Sequence, residues 1–248
     1  MISYKKAIKI LIKNKIKIKS ESILSKDALG RISSNNIYSS CNYPSANNTA
    51  FDGYAINSLD TKNLTKKKTR KFKIVKSLAA GDNPKIRNIK KFSTIEVMTG
   101  ALINKPFNTV IPIENIVFIP NKIKPEYILI DNKVKKHNHI RFLGSDYKKG
   151  EKIINKGEII KPSHILALKT LGIERLVVKK MPKIIFYTTG NEISNKTKIP
   201  NWKIRNSNSY YLRAYLKNLP IYFKEKNILR DKDETKFKNE IKKFQTGK

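Results

Sequence analysis

Asn47-Asn48-Thr49-Ala50-Phe51-Asp52-Gly53-Tyr54-Ala55 sets a single carboxylate directly before a glycine, in a run that is otherwise apolar, hydroxyl or amide. Acids are scarce in this chain: 19 Asp and Glu stand against 53 Lys and Arg. The plainest reading of Asp52-Gly53 is a tight turn, because glycine tolerates positive φ and aspartate bonds its own backbone. The turn would deliver the chain into a strand beginning at Gly53.

Around this stretch, residues 36–135 read as β-rich. Short alternating or β-branched runs predict strands at 53–57, 71–78, 93–98, 108–114, 115–119 and 126–130, with turn signals at Gly81-Asp82-Asn83-Pro84, Lys105-Pro106 and Pro120-Asn121. Before this region, Ala7, Ile8, Leu11 and Ile12 recur at helical spacing across 4–14. A second short helix is predicted from Ser25 to Arg31, with Ser25 as its cap and Gly30 near its end. After it, Gly144, Gly150 and Gly157 punctuate short strands. Pro162 to Leu171 predicts a helix with proline in its first turn and Gly172 at its end, and a strand follows at Val177-Val178. From Pro182 the pattern changes to strand (Lys183 to Gly190), helix (206–218), strand (Tyr222 to Leu229) and helix (233–244). The first of these strands reads as buried and parallel. That alternation opens a doubly wound α/β domain, and two strands with two helices cannot cover both faces of such a sheet.

The 248 residues carry a formal net charge of +34. Such a charge suggests nucleic acid, but its make-up argues against that partner. Eight Arg stand against 45 Lys, whereas bidentate recognition of phosphates and bases favours Arg. The Lys are spread from end to end, as a solvated surface would be. The very basic run Lys62 to Lys73 reads as a solvated loop. One cysteine, Cys41, excludes an internal disulfide framework. His137-x-His139 has chelating spacing, but a polar loop is the weightier reading. No segment approaches the roughly 20 apolar residues of a membrane span, and no signal peptide is recognisable. These features lead to the expectation of a soluble, cytoplasmic protein.

Four further places combine a glycine turn with polar groups. In Glu96-Val97-Met98-Thr99-Gly100-Ala101, backbone N–H groups at a strand end suit an anion. In Arg141-Phe142-Leu143-Gly144-Ser145-Asp146, an arginine and an aspartate flank a glycine. In Thr188-Thr189-Gly190-Asn191-Glu192, a carboxylate follows a strand where open α/β sheets bind ligands. In Leu229-Arg230-Asp231-Lys232-Asp233, acids follow a second strand, and Asp231 alone reads best as a helix cap backed by Glu234.

Taken in order, these motifs resemble a known family. Asn-Thr-Ala-Phe-Asp-Gly-Tyr-Ala is similar to the Asn-Ser-Ala-Met-Asp-Gly-Tyr-Ala signature of the molybdopterin molybdenumtransferases, the family that includes the gephyrin E domain. Met98 to Ala101 resembles its Met-Thr-Gly-Ala, Val110 to Glu114 its Val-Val-Met-Gln-Glu, Arg141 to Asp146 its Arg-x-x-Gly-Glu-Asp, and Tyr187 to Glu192 its Ser-Thr-Gly-Asp-Glu. Leu171-Gly172-Ile173, Ser207-Asn208 and Arg230-Asp231 fall in register. Ser145 stands where the family has Glu, and Asn191 where it has Asp.

The resemblance implies a multidomain α/β protein. An elongated helix-and-strand domain (1–45 and 136–181) would be split by a β-rich insertion (46–135), then followed by the first part of a three-layer αβα molybdopterin-binding domain (182–248). It implies transfer of molybdate onto adenylylated molybdopterin with Mg2+, releasing AMP, in a homodimer. Asp52, Glu192 and Asp231 would be catalytic, with Asp52 acting on the partner's site. Thr99, Arg141, Asp146, Gly190 and Ser207 would bind substrate, and Glu192 and Asp231 would hold the metal. The family's Ser-Gly-Gly-Val-Ser loop has no counterpart in this sequence, so the expectation for the 248 residues alone is an inactive chain, loosely folded beyond Pro182. The alternatives are a basic nucleic-acid binder and a non-catalytic dimeric remnant of the family.

Overall fold

The computed structural model describes residues 2–245. The chain divides into two compact units, one of Met1–Ile37 with Ile153–Lys248 and the other of Tyr38–Lys152. This second unit extends beyond residues 46–135 at both ends. The reason is pairing at its base: Ile140 and Arg141 pair antiparallel with Thr49 and Asn48, Asp146 N–H donates to Tyr43 O at 3.0 Å, and Ser39 N–H donates to Glu151 O at 2.7 Å.

The Tyr38–Lys152 unit is built on a six-stranded mixed sheet. Its strands run in the order Thr109–Pro112, Gly53–Ile56, Ser93–Val97, Arg70–Leu78, Tyr127–Ile130, Val117–Ile119. All six predicted strands are present, each within a few residues. Arg70–Leu78 pairs antiparallel with Tyr127–Ile130 through its first half and parallel with Ser93–Val97 through its second, with a register shift between Ile74 and Lys76. Successive side chains leave a strand on opposite faces, and Gly53–Ile56 feeds two cores. Ala55 joins Leu78, Ile95, Val97 and Val110 on one face, while Tyr54 and Ile56 join Phe72, Ile128 and Ile130 on the other. Each fully buried side chain of this size stabilises the fold by roughly 1.5–3 kcal/mol. Burial and the neighbouring Glu96 push the Tyr54 hydroxyl up to about 12.

In the other unit, Ser20–Leu24 pairs antiparallel with Arg175–Lys179, over a core of Ala28, Ile154, Ile160, Leu168, Leu176 and Val178. Pro162–Thr170 is the predicted helix. Proline fills its first position, His164 Nδ1 accepts the Lys161 N–H at 3.1 Å, and Gly172 ends it at φ +68°. The helix predicted from Ser25 to Arg31 is only a 3-10 turn over Ser25–Asp27, and Ser25 makes no side-chain cap. Tertiary bonds override the pattern: Gly30 N–H is drawn to Ile160 O at 2.9 Å and Ser25 N–H to Glu174 O at 2.8 Å.

Beyond Pro182, Lys183–Phe186 and Tyr222–Glu225 pair in parallel, joined by the helix Asn208–Leu216 and followed by Glu234–Gln245. The strand–helix–strand–helix order and the parallel pairing are as expected, but the expected burial is not. Lys183 and Ile184 are exposed, and Tyr211 and Tyr215 on the helix are each 67% exposed. No helix among the described residues is long and apolar enough to cross a membrane.

Candidate functional site

The predicted residues fall into two groups, one in each unit. In the Tyr38–Lys152 unit, Asn48 and Thr49 form a two-residue strand with the turn Met98–Leu102 on one side and Ile140–Arg141 on the other. Thr49 N–H donates to Ala101 O, and Gly100 N–H donates back to Thr49 O, each at 3.0 Å. Thr49 Oγ1 donates to Phe51 O at 2.6 Å and accepts from Phe51 N–H at 3.1 Å, shaping the bend that precedes Asp52. Gly100 turns at φ +87°, a conformation glycine adopts at little cost.

This arrangement carries Thr99 onto Asp52. Thr99 donates its backbone N–H to Asp52 Oδ1 at 2.6 Å and its hydroxyl to the same oxygen at 2.9 Å. The strand-end N–H is thus taken by a carboxylate of the protein itself. The backbone N–H first, then the hydroxyl, hold the Asp52 carboxyl below its ordinary value against a small opposing effect of burial. A carboxyl depressed by folding adds stability above its unfolded pKa of about 3.9, and that stability is lost as pH falls through the folded value. Asp52 is exposed, so the stability involved is small. Carboxyl NMR should place the Asp52 midpoint below that of an unstructured aspartate. Thr99→Val, which keeps the N–H and removes the hydroxyl, should recover part of the difference; no change in Thr99→Val would show that the hydroxyl is idle.

The glycine after Asp52 is not the turn residue it resembles. Gly53 opens the buried strand Gly53–Ile56 and is not among the positive-φ glycines. A Cβ on Gly53 would lie 2.1 Å from Ile111 O, so the position is a close backbone approach.

Arg141 and Asp146 form an ion pair, joined by Ser145 Oγ donating to Asp146 Oδ1 at 3.0 Å. The Arg141 guanidinium and then Ser145 hold the Asp146 carboxyl down. Gly144, at φ +71°, closes the loop by donating its N–H to Pro44 O at 2.9 Å. Both charges are more than a third exposed, so the pair adds little stability. His137 and His139 do not converge on a metal: their rings pack edge-on against Phe142 and Phe51 respectively.

In the other unit, Gly190, Glu192 and Asp231 lie on two turns that follow the parallel strands. Gly190 N–H donates to Leu229 O at 3.1 Å. The Glu192 carboxylate folds back over Gly190, where a Cβ would lie 2.6 Å from its oxygens. Asp231 is not a helix cap: its carboxylate accepts the Asn191 side-chain amide, and its N–H donates to Asn191 Oδ1 at 3.3 Å. The cap is made by Asp233, which accepts the Arg230 N–H at 2.8 Å. Ser207 precedes the helix Asn208–Leu216 without a side-chain cap bond.

Sequence reasoning missed two residues here. Arg230 Nη1 reaches three carbonyls, Gly190 O at 2.7 Å, Ile193 O at 2.9 Å and Asn191 O at 3.1 Å. Asn206, 6% exposed, accepts from Thr188 Oγ1 at 3.2 Å and donates to Glu225 at 3.3 Å. The Arg230-Asp231 motif was the available signal for the first.

Among the described residues no three His, Cys, Asp or Glu stand close enough to cage a metal. Two exposed carboxylates on neighbouring turns suit Mg2+ of another kind, one that keeps its waters and arrives with substrate phosphates.

The family model for the MoeA N-terminal region (domain I and II) matches residues 2–172. A molybdopterin biosynthesis protein of Methanocaldococcus jannaschii is 32% identical over 97% of this chain and 58% of its own length. A molybdopterin molybdenumtransferase of Staphylococcus epidermidis is 29% identical over 89% of this chain and 51% of its own. The chain thus spans little more than half the length of these relatives. The crystal structure of the molybdopterin biosynthesis moeA protein of Pyrococcus horikoshii superposes with a TM-score of 0.85 at 28% identity, covering 100% of this chain and 64% of that one. With its first 172 residues matched almost end to end and its fold shared with a solved member, the chain belongs to the MoeA family.

Proposed function

We propose that this chain corresponds to the N-terminal part of a molybdopterin molybdenumtransferase and serves molybdenum cofactor biosynthesis. The reaction is transfer of molybdate onto the dithiolene of adenylylated molybdopterin, with release of AMP, in a cytoplasmic homodimer. The observation that carries this reading is the Asp52–Thr99 pair: a carboxylate fixed in direction by two hydrogen bonds, on the stretch that resembles the family's signature and within the matched residues 2–172. Arg141 and Asp146 flank the same two-residue strand and supply a cation and a second acid.

In this reading Asp52, Glu192 and Asp231 are the catalytic acids, and Asp52 serves the partner's site. Thr99, Arg141, Asp146, Gly190 and Ser207 contact the substrate. Mg2+ supplies charge neutralisation at the pyrophosphate when bound, and Glu192 with Asp231 would hold it. Residues 182–248 are the opening of a three-layer αβα domain that binds the pterin, and residues 1–45 with 136–181 are the elongated domain that the β-rich segment interrupts.

The test is AMP release from adenylylated molybdopterin with molybdate and Mg2+, followed by chromatography. A polypeptide joining this chain to the C-terminal half of the Staphylococcus epidermidis relative is expected to release AMP only when molybdate is present. The 248 residues alone are expected to release none. Molybdate-independent release, or none from the joined polypeptide when the intact relative is active, would refute the reading.

A further inference from the structure

We propose that Arg230 and Asn191 preset the two acid-bearing turns without a metal ion, so that the site is organised before any cation arrives. The inference rests on the reading of Glu192 and Asp231 as site acids. Two carboxylates on neighbouring turns repel, and proteins commonly offset such repulsion with a bound cation or a fixed positive group. Here the fixed group is Arg230. Its Nη1 donates to Gly190 O, Asn191 O and Ile193 O at 2.7, 3.1 and 2.9 Å, bracketing Glu192 from both sides. Its own backbone N–H is held by Asp233 at 2.8 Å, so the guanidinium ties one turn to the other. Lys203 Nζ adds a second cation on Asn191 O at 2.5 Å.

Asn191 completes the bracket. Its side-chain amide donates to the Asp231 carboxylate, and its oxygen accepts the Asp231 N–H at 3.3 Å. Donor faces acceptor in both directions, which an ionised carboxylate at 191 could not provide. An aspartate at 191 would set a carboxylate against Asp231, and the turns would then need a divalent ion between them. The residue at 191 therefore decides whether the empty site holds its shape. Neither residue is assigned a contact with substrate, and both are positioning residues.

The test is amide hydrogen exchange by NMR on the full 248-residue chain without substrate, so its outcome is independent of catalysis. The reporting amides are Gly190 and Asp231, with Ser25 and Lys179, hydrogen-bonded elsewhere in the unit, as references. Wild-type protection at the reporters is expected to be the same in EDTA and in MgCl2. Arg230→Gln should speed exchange at the reporters by roughly tenfold to hundredfold, the range for hydrogen bonds from a charged donor, and leave the references unchanged. Arg230→Lys should fall between. Asn191→Asp should exchange faster in EDTA and recover in MgCl2. Wild-type protection that requires Mg2+, or an Asn191→Asp chain indistinguishable from wild type in EDTA, would overturn the proposal. Should Arg230→Gln loosen residues 182–245 as a whole, the Asn191→Asp comparison decides by the same criterion.

Discussion

Gly53→Ala is expected to lower the melting temperature by roughly 2–12 °C, the shift that an overpacking strain of about 1–3 kcal/mol produces in a chain of this size. The cause is local and rigid. A Cβ at Gly53 would meet Ile111 O at 2.1 Å, Ile111 C at 2.9 Å and Pro112 Cα at 3.0 Å, all of them backbone. No rotamer change relieves that contact, so the strand Thr109–Pro112 must move away from Gly53–Ile56 or the pairing Gly53↔Pro112 must open. Either movement disturbs Asp52, whose carbonyl accepts the Ile113 N–H at 3.0 Å. Calorimetry or thermal circular dichroism on the full chain measures the shift. A melting temperature within about 1 °C of wild type would mean the two strands are looser than the sheet geometry indicates. The variant should also lose the depressed Asp52 titration, since the carboxylate can no longer reach Thr99.

In the polypeptide joined to the C-terminal half of the Staphylococcus epidermidis relative, Asp52→Ala should reduce AMP release by roughly 10²- to 10⁴-fold in kcat, the range for removing a positioned acid or base, with a smaller change in KM. Thr99→Ala should lose less, because the backbone N–H remains at 2.6 Å. If Asp52 serves the partner's site, the defect is separable. Co-folding Asp52→Ala with Asp231→Ala polypeptides should form mixed dimers with one intact site each, restoring about a quarter of wild-type sites in a two-fold dimer. Activity that stays at the level of the separate variants would place Asp52 and Asp231 in the same subunit's site. An Asp52→Ala enzyme with normal kcat would remove Asp52 from the chemistry altogether.

How far the sequence reached depended on whether local pattern or tertiary contact governed each place. Strands with alternating burial, such as Tyr127–Ile130, were legible because period two places every second side chain in a core. The helix Pro162–Thr170 was legible because its proline, capping histidine and terminal glycine all act within a few residues. The helix expected from Ser25 failed because Gly30 and Ser25 bond to residues about 130 and 149 positions away. Gly53 misled in another way: the residue before it is a turn former, while the constraint on it comes from Ile111 on a neighbouring strand. Arg230 was marked only as the neighbour of Asp231, with nothing to show what it does. Its importance lies in three carbonyls on a turn some 40 residues earlier, and a single sequence carries no trace of which carbonyls a long side chain reaches.

The pairing of Ser20–Leu24 with Arg175–Lys179 joins strands separated by on the order of 150 residues. Most of that interval is the β-rich unit, whose own two ends meet where Ser39 N–H donates to Glu151 O. An order of events during folding is expected from this. If the outer strands paired first, they would close a very long loop. If the β-rich unit condenses first, its ends arrive already side by side, and the remaining loop is only a few tens of residues. Loop-closure entropy depends on the logarithm of length, so the saving is about 1 kcal/mol. The β-rich unit would then act as a kinetic splint, formed early and bringing the two segments of the other unit, before residue 38 and after residue 152, within reach of each other.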